Sequence, residues 1–188
     1  MKVPAYRASG GFFLLLALLN YLDKYGIVPL AMIACILHEL GHYAAIRALG
    51  GDIKQISFTV IGAEMRLARM LGYQRECAAA LAGPAVNLLL AWLFCWQEGG
   101  EVFSGINMAL GVFNLLPVRR LDGGRALHCV LCLAAGPDAA ERAGERVDIV
   151  FTALILAAGI LALPAGGNIT LLCVALWLTI FSAGKSGE

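Results

Sequence analysis

The sequence predicts an all-α polytopic membrane protein, with about six transmembrane helices and a short interfacial β-hairpin or membrane-embedded loop between helices 2 and 3. Three observations lead to this fold class. Hydrophobic residues make up 60% of the 188 positions and charged residues only 14%, a composition that is not typical of soluble domains. Apolar stretches of helical length recur along the chain. The connections between these stretches are alternately rich and poor in lysine and arginine.

The apolar stretches define the predicted transmembrane helices in chain order. Allowing for short polar interruptions, they cover residues 9–22, 26–49, 77–96, 102–118, 147–163 and 168–183. The first stretch is short, and only Asp23 and Lys24 separate it from the second. Residues 9–37 could therefore form one span in place of two, which would invert the side on which the N-terminus lies.

Positive charge in the connections favours the six-span topology, because lysine and arginine accumulate on the cytoplasmic side of membrane proteins. With both termini inside, all 14 lysine and arginine residues except Lys24 lie on the cytoplasmic side. The sequence therefore predicts a multi-pass protein of the cell membrane with both termini in the cytoplasm. The 13 acidic residues nearly balance the 14 basic ones, so no charge excess indicates a nucleic-acid partner. The apolar composition makes the lipid bilayer the expected partner.

A β-hairpin is predicted between the second and third helices. Residues 53–68 contain an alternating, β-branched pattern that Gly62 interrupts. Lipid does not tolerate open strand edges, so the hairpin is expected at the interface or in a cavity among the helices. The polar segment Pro137–Glu145 is interpreted as another long connection. Residues 1–188 are expected to form a single membrane-embedded domain without an appended soluble domain.

The strongest chemical motif is HELGH, His38 to His42, within the second apolar stretch. Histidines four residues apart share one helix face, so both imidazoles can bind one metal ion while Glu39 lies beside an open coordination position. The alternative is a pair of packed or pore-facing histidines with a surface glutamate. Histidine and glutamate are costly at membrane depth and usually have a function there, which favours the metal site.

A catalytic zinc site needs a third protein ligand, and His128 or a carboxylate could supply it. Asp122 is the carboxylate that the sequence favours. Pro117 limits helix continuation before Asp122, and Gly123 and Gly124 after it allow the backbone to turn and approach closely. The carboxylate of Asp122 is therefore expected at an interruption between helices.

Two asparagines, Asn87 and Asn114, lie in apolar stretches, where each needs a hydrogen-bond partner or a cavity. They could hold a substrate backbone or join helices. The HCVLC segment, His128 to Cys132, could bind a second metal ion, but cysteines on a continuous helix more often pack than react. The six cysteines of the chain are accordingly interpreted as reduced packing residues.

Taken together, the motifs resemble those of the site-2 protease family of intramembrane metalloproteases. HELGH matches the metal-binding helix of that family, and GPAVN at residues 83–87 matches its Gly-Pro-x-x-Asn helix. FNLLPVRRLDGGR at residues 113–125 matches its Leu-Asp-Gly segment. The resemblance covers nearly the whole chain. One departure is Arg120, because family members often carry proline at that position.

The resemblance implies one catalytic Zn2+ ion with His38, His42 and Asp122 as its ligands, and Glu39 as the general base. By the family pattern Asn87 is a candidate substrate contact. Asn114 is a second candidate, from its position in an apolar stretch. The implied activity is hydrolysis of a peptide bond in or near a transmembrane segment, as in regulated intramembrane proteolysis. A membrane protein or membrane-associated peptide is the implied substrate, and a regulatory membrane partner is compatible with it. The chain is similar to the minimal, sporulation-type branch of the family.

Two other functions are compatible with the same residues. A membrane metal transporter could use HELGH and Asp122 to hold a transient ion, although the outer halves of the apolar stretches offer almost no ionisable groups for a transport path. A non-proteolytic scaffold could keep the same fold without hydrolysing peptides. Every catalytic element of the motif is present, so the protease is the favoured interpretation.

Overall fold

The computed structural model describes residues 5–59 and 62–162, and the side chains of these residues except 59 and 62–64. The chain divides into two compact units, Met1–Phe113 and Asn114–Glu188. In the described part, helices dominate both units, and a small sheet belongs to the first. The mostly helical architecture with one short β-region confirms the predicted fold class at that level.

The described elements of the first unit follow in chain order: β1 (Ala5–Ala8), α1 (Gly10–Leu22), α2 (Ile27–Ala48), β2 (Ile53–Thr59), β3 (Gly62–Leu67), α3 (Tyr73–Phe94) and α4 (Glu101–Asn114). The last residue of α4 begins the second unit. That unit contributes α5 (Asp122–Ala135) and α6 (Pro137–Ala162).

The small sheet has the strand order β1-β2-β3. β2 and β3 are antiparallel, with Ile56 opposite Met65, which confirms the hairpin predicted within residues 53–68. β1 pairs with β2 in parallel, with Tyr6 opposite Ile56, and the sequence did not predict it. Its four residues are all exposed and too few to show an alternating pattern. β2 is therefore the central strand.

The sheet packs on the ends of α2 and α3 through a small apolar core. Ile53 and Ile56 of β2 are buried against Ile46 of α2 and Ala79 of α3. Burying an isoleucine side chain contributes about 1.5–3 kcal/mol relative to leaving it exposed. The core thus fixes the position of the helical turn that contains Ala79.

The break between α1 and α2 is stabilised by Asp23. One carboxylate oxygen of Asp23 accepts hydrogen bonds from the backbone N–H groups of Tyr25 and Ile27, and the other accepts one from Val28. Gly26 adopts a left-handed φ of 68°, which glycine reaches without steric cost. Residues 9–37 therefore form two separate helices and not one continuous helix.

α2 and α3 approach each other closely at Gly41. A Cβ at this position would lie 2.9 Å from Cγ2 of Val86 and 3.0 Å from the carbonyl oxygen of Ala82. Small residues allow helix backbones to come together in this way, which is common between helices in membranes. The glycine of HELGH is therefore a packing residue that brings the histidine face of α2 against α3.

Two of the described helices, α2 and α3, are each long and apolar enough to cross a membrane, whereas α1 is apolar but shorter. Only 22% and 33% of the apolar stretches of α2 and α3 are buried, so most of their surface is available to lipid. The count of six spans stays a prediction. The sixth predicted stretch, residues 168–183, lies outside the described residues.

The second unit corrects one prediction. The segment Pro137–Glu145 is not a connection, because α6 begins at Pro137 and continues to Ala162. Proline is favoured at the first helical position, and the alanines, glutamates and arginines that follow are good helix formers. A search for apolar stretches detects only residues 147–163, because the first turns of α6 are helical but polar.

Candidate functional site

The two histidines of HELGH lie on one buried face of α2. His38 is 6% exposed and His42 is 7% exposed. Their Nε2 atoms are 3.1 Å apart, and the two rings are nearly perpendicular, with centroids separated by 4.7 Å. The helical spacing therefore brings both nitrogens to one point, as the sequence predicted.

The backbone of α3 determines which nitrogen of His42 carries its proton. Nδ1 of His42 lies 2.8 Å from the carbonyl oxygen of Ala79, which can only accept a hydrogen bond. The proton is therefore on Nδ1, and the lone pair of the imidazole is on Nε2. Pro84 lies inside α3 and lacks the N–H that would bond to the carbonyl of Ala80, the residue next to Ala79.

Asn87 determines which nitrogen of His38 carries its proton. The Oδ1 atom of Asn87 lies 2.5 Å from Nδ1 of His38, and Asn87 itself is fully buried at 0% exposure. Nδ2 of Asn87 donates to the carbonyl oxygen of Ala34, at 3.3 Å, so the amide oxygen faces the imidazole. His38 thus also carries its proton on Nδ1, and its Nε2 lone pair faces that of His42.

Two facing lone pairs at this distance are suited to bind a cation. Two nitrogens that are each about 2.0–2.1 Å from a tetrahedral zinc ion lie about 3.3 Å apart. The observed 3.1 Å separation of the two Nε2 atoms is close to that value. Metal-binding histidines commonly donate their other N–H to a carbonyl or a similar acceptor, as both imidazoles do here. The donor pair therefore fits a divalent metal ion.

Gly83 leaves the space that the two imidazoles occupy. A Cβ at this position would overlap the ring of His42 and would lie 2.8 Å from Cε1 of His38. The structure thus gives a reason for two residues of the GPAVN motif of α3. Gly83 makes room for the rings, and Asn87 orients His38.

Glu39 follows His38 on α2 and is half-buried. Its position in the helix places it about 100° around the axis from His38. A carboxylate that is only partly buried can exchange protons with a water molecule, which is the task of a general base.

Asp122 belongs to the second unit, where it is the first residue of α5 and is 9% exposed. The positive end of the helix dipole favours a carboxylate at this position. The guanidinium of Arg125 lies 3.7 Å from Oδ1 of Asp122 and has the same effect. Both features stabilise the ionised carboxylate, which is the form that binds metals.

Gly123 and Gly124 pack α5 tightly against the segment that precedes it. A Cβ on Gly123 would overlap the carbonyl group of Leu115, and one on Gly124 would overlap that of Val118. The close backbone approach that the sequence predicted at these glycines is confirmed. It fixes the direction in which α5 begins.

Arg119 and its neighbours form a defined turn, although the chain has Arg120 where the family often has proline. The backbone N–H of Leu121 donates to the carbonyl of Val118 at 2.8 Å. The backbone N–H of Arg119 donates to Oδ1 of Asp148 at 2.8 Å, and Asp148 is only 3% exposed. The Arg119 side chain pairs with Glu141 at 2.6 Å. Contacts from α6 therefore hold this turn.

Asn114 and the HCVLC segment are the remaining candidates from the sequence. Asn114 is the last residue of α4 and is half-buried. In HCVLC, Sγ of Cys132 lies 3.4 Å from Nε2 of His128, and Cys129 and Cys132 are buried in α5. Among the described residues, no group of three metal-ligating side chains includes these cysteines. The cysteines that the structure describes are not in disulfides.

Asn107 is a site residue that the sequence interpretation missed. It lies in the middle of α4 at 0% exposure, and its Oδ1 accepts a hydrogen bond of 2.8 Å from Nδ2 of Asn87. The signal that could have found it is the one that identified Asn87 and Asn114. An asparagine inside an apolar helix needs a polar partner.

No protein-family model matches the chain, but curated relatives do. The chain is 31% identical, over 97% of its length, to a Synechocystis sp. protein whose name assigns it to the zinc metalloproteases, and it covers 50% of that protein. It is 27% identical to a zinc metalloprotease of Methanocaldococcus jannaschii, with coverage of 79% and 46%. It is 25% identical to stage IV sporulation protein FB of Bacillus subtilis, with coverage of 80% and 56%. The chain thus spans about half the length of the curated relatives it matches.

A solved structure has the same fold. The site-2 protease from Methanocaldococcus jannaschii superposes with a TM-score of 0.72 at 21% sequence identity, and the match covers 100% of this chain and 94% of that one. Two of the described helices, α2 and α3, are long and apolar enough to cross a membrane, which agrees with this fold. The chain has the site-2 protease fold, and the resemblance indicated by its three motifs is confirmed in sequence and in fold.

Proposed function

We propose that the chain is an intramembrane zinc metalloprotease that hydrolyses a peptide bond in or near a transmembrane segment of a membrane-associated substrate. The observation that carries this proposal is the pair of buried imidazoles whose Nε2 lone pairs face each other at 3.1 Å. The names of the relatives, which assign two of them to the zinc metalloproteases, support it.

His38, His42 and Asp122 are the proposed ligands of one zinc ion. Two imidazoles and one carboxylate form a ligand set typical of catalytic zinc, and they leave a fourth position open. The environment of Asp122 supports this role, because the start of α5 and Arg125 both favour its ionised form. A zinc ion held by these residues would supply Lewis-acid chemistry, which would polarise a carbonyl and lower the pKa of a bound water molecule.

Glu39 is the proposed general base. It takes a proton from the attacking water as the new C–O bond forms at the scissile carbonyl. It then gives that proton to the leaving nitrogen as the C–N bond breaks, so that it returns to its starting form. Its half-buried position next to His38 is compatible with contact to both water and substrate.

The substrate contacts are also proposals. Asn114 is half-buried at the end of α4 and is the proposed contact for the substrate backbone. The role predicted for Asn87 as a substrate contact remains untested. Its hydrogen bonds to His38 and Ala34 support a role in orienting His38. A cleavable peptide must be extended, and β3 could pair with it at the side of the sheet away from β2.

The proposed topology has six spans with both termini in the cytoplasm, and residues 1–188 form one membrane-embedded domain. The distribution of positive charge supports it, because only Lys24 of the 14 basic residues would lie outside. Labelling of single cysteines by a membrane-impermeant reagent in intact cells tests this arrangement. A cysteine placed beside Lys24 should react, and one placed beside Arg66 should not.

The activity is tested with the purified protein in detergent and a panel of single-span substrates. We expect cleavage by the wild type that is lost in Glu39→Gln and lost when a zinc chelator is added. Glu98→Gln, at an exposed glutamate after α3, is the matched control and should cleave at the wild-type rate. Stoichiometric zinc with no cleavage of any substrate would contradict the protease assignment. Metal flux in proteoliposomes that survives Glu39→Gln would support the transporter instead.

A further inference from the structure

Asn107 is a buried polar residue that the proposed catalytic mechanism does not use. It lies in the apolar helix α4, at 0% exposure, and among the residues of the described chain it is one of the largest side chains to be fully buried. An amide in such surroundings is costly unless both of its ends form hydrogen bonds. Both ends of the Asn107 amide form hydrogen bonds, and the direction of these bonds determines which nitrogen of His38 carries a proton.

The first bond in the series fixes the orientation of the Asn107 amide. Nδ2 of Asn107 donates to the carbonyl oxygen of Phe103 at 2.9 Å. A backbone carbonyl can only accept a hydrogen bond, so the nitrogen end of the amide must face it. The oxygen end of Asn107 therefore faces α3, where it accepts from Nδ2 of Asn87 at 2.8 Å.

The Asn87 amide extends this series into a relay of hydrogen bonds, which is formed by His38, Asn87, Asn107 and Phe103. Nδ2 of Asn87 donates to Asn107 and to the carbonyl of Ala34, so Oδ1 of Asn87 must face His38. At 2.5 Å from Nδ1 of His38, that oxygen requires a proton on Nδ1. The Nε2 atom of His38 is then left with the lone pair that a metal ion needs.

We infer that Asn107 is a positioning residue of the metal centre, which acts through Asn87 to keep His38 in the metal-binding tautomer. The inference rests on the proposed metal role of His38. His42 does not depend on the relay, because the backbone carbonyl of Ala79 fixes the tautomer of His42 directly. The two ligands of HELGH thus depend on different structural elements, and only His38 depends on α4.

Loss of the acceptor on Asn107 has a specific consequence. The Asn87 amide then keeps only its longer bond, of 3.3 Å, to the carbonyl of Ala34, and this weaker restraint allows a fraction of the amides to turn so that the nitrogen faces His38. His38 would respond by placing its proton on Nε2, where it blocks metal binding. Because only the competent tautomer binds, the apparent affinity falls in proportion to its population. Loss of a residue that orients a metal ligand typically costs about 10- to 100-fold in affinity.

Three variants separate this role from a general effect on folding. Asn107→Leu keeps the size of the side chain and removes the acceptor. Asn107→Asp, as a neutral acid in apolar surroundings, donates its O–H to Phe103 and accepts from Asn87, so it preserves the direction of the relay. Ser104→Ala removes a neighbouring buried hydrogen bond on α4, from Ser104 Oγ to the carbonyl of Ala91 at 2.7 Å, that is not part of the relay.

The experiment uses the full chain in detergent and has two readouts. Zinc affinity is measured by competition with a chromogenic chelator, and the tautomer of His38 is read in the metal-free protein from the 15N shifts of its imidazole. We expect Asn107→Leu to lower zinc affinity about 10- to 100-fold and to introduce the Nε2–H form of His38. Asn107→Asp and Ser104→Ala should keep both the affinity and the Nδ1–H form.

The outcomes distinguish this inference from the proposed function. If Asn107→Leu binds zinc as tightly as the wild type and keeps the Nδ1–H form, the inference is wrong and the metal centre stands. If Ser104→Ala lowers affinity as much as Asn107→Leu, the effect is one of packing, which also overturns the inference. If the wild type binds no zinc, the proposed function is contradicted. The inference is then overturned as well, because it rests on the metal role of His38.

Discussion

Replacing Gly83 by alanine tests the geometry of the metal centre most directly. The added Cβ would overlap the ring of His42 and would lie 2.8 Å from Cε1 of His38, whereas ordinary van der Waals contact begins at 3.4 Å. The imidazole of His38 must therefore move by about 0.6 Å, the difference between these distances, because a packed interior has no free space to absorb the methyl group. Metal–ligand distances tolerate about 0.2 Å.

We therefore expect Gly83→Ala to lower zinc affinity and cleavage rate strongly. A misplacement of about 1 Å in a catalytic group can cost about 100-fold in rate, and the required shift approaches that size. Overpacking should also lower the free energy of unfolding by about 1–3 kcal/mol. Zinc content after dialysis, cleavage of a single-span substrate and thermal unfolding in detergent measure the three effects.

Gly105→Ala is the matched control, because it also places alanine inside a helix but its Cβ would have no neighbour within 4 Å. This variant should keep the zinc affinity and cleavage rate of the wild type. A Gly83→Ala protein that retains full zinc binding and full activity would refute the reasoning. The imidazoles would then not be packed against Gly83 in the purified protein.

Asp148→Ala should lower the free energy of unfolding by about 1–3 kcal/mol, because the backbone N–H of Arg119 loses its acceptor, whereas Glu141→Ala, at an exposed ion pair, should cost less than about 1 kcal/mol. Equal losses in denaturant titrations would contradict this. Backbone hydrogen bonds, above all from Val28, hold the pKa of Asp23 below its ordinary value of 3.8. The folded state then binds fewer protons than the unfolded chain, so the stabilisation is full above 3.8 and is lost as the pH falls through the lower folded value. The difference in melting temperature between wild type and Asp23→Asn should be present near neutral pH and should shrink in acid, and a constant difference would be evidence against this role.

The shared face of the HELGH histidines could be predicted from sequence because helical spacing alone determines which residues share a face, whereas GPAVN was identified by its resemblance to the family motif. His38 and His42 meet at Nε2 as expected, and the glycine of GPAVN has a steric reason that the structure supplies. The hairpin within residues 53–68 was also predictable, since antiparallel strands joined by a short turn are a local feature. In each case the information lies within a few residues of sequence.

The features that were missed depend on distant partners or on polar helices. β1 is formed by its parallel pairing with β2, about 50 residues further along the chain, and nothing in its four residues indicates this. The first turns of α6 were taken for a connection because hydropathy reports lipid contact and not helix formation. Asn107 could be found as a polar residue in an apolar helix, but its partner on α3 could not.

The complete burial of Asn87 and Asn107 has a consequence for how solvent reaches the histidines. The oxygen and nitrogen of each amide have protein partners, so this series of hydrogen bonds requires no water molecule to complete it. The proposed hydrolysis consumes one water molecule per turnover. The buried asparagines behind His38 are therefore not expected to be the source of that water.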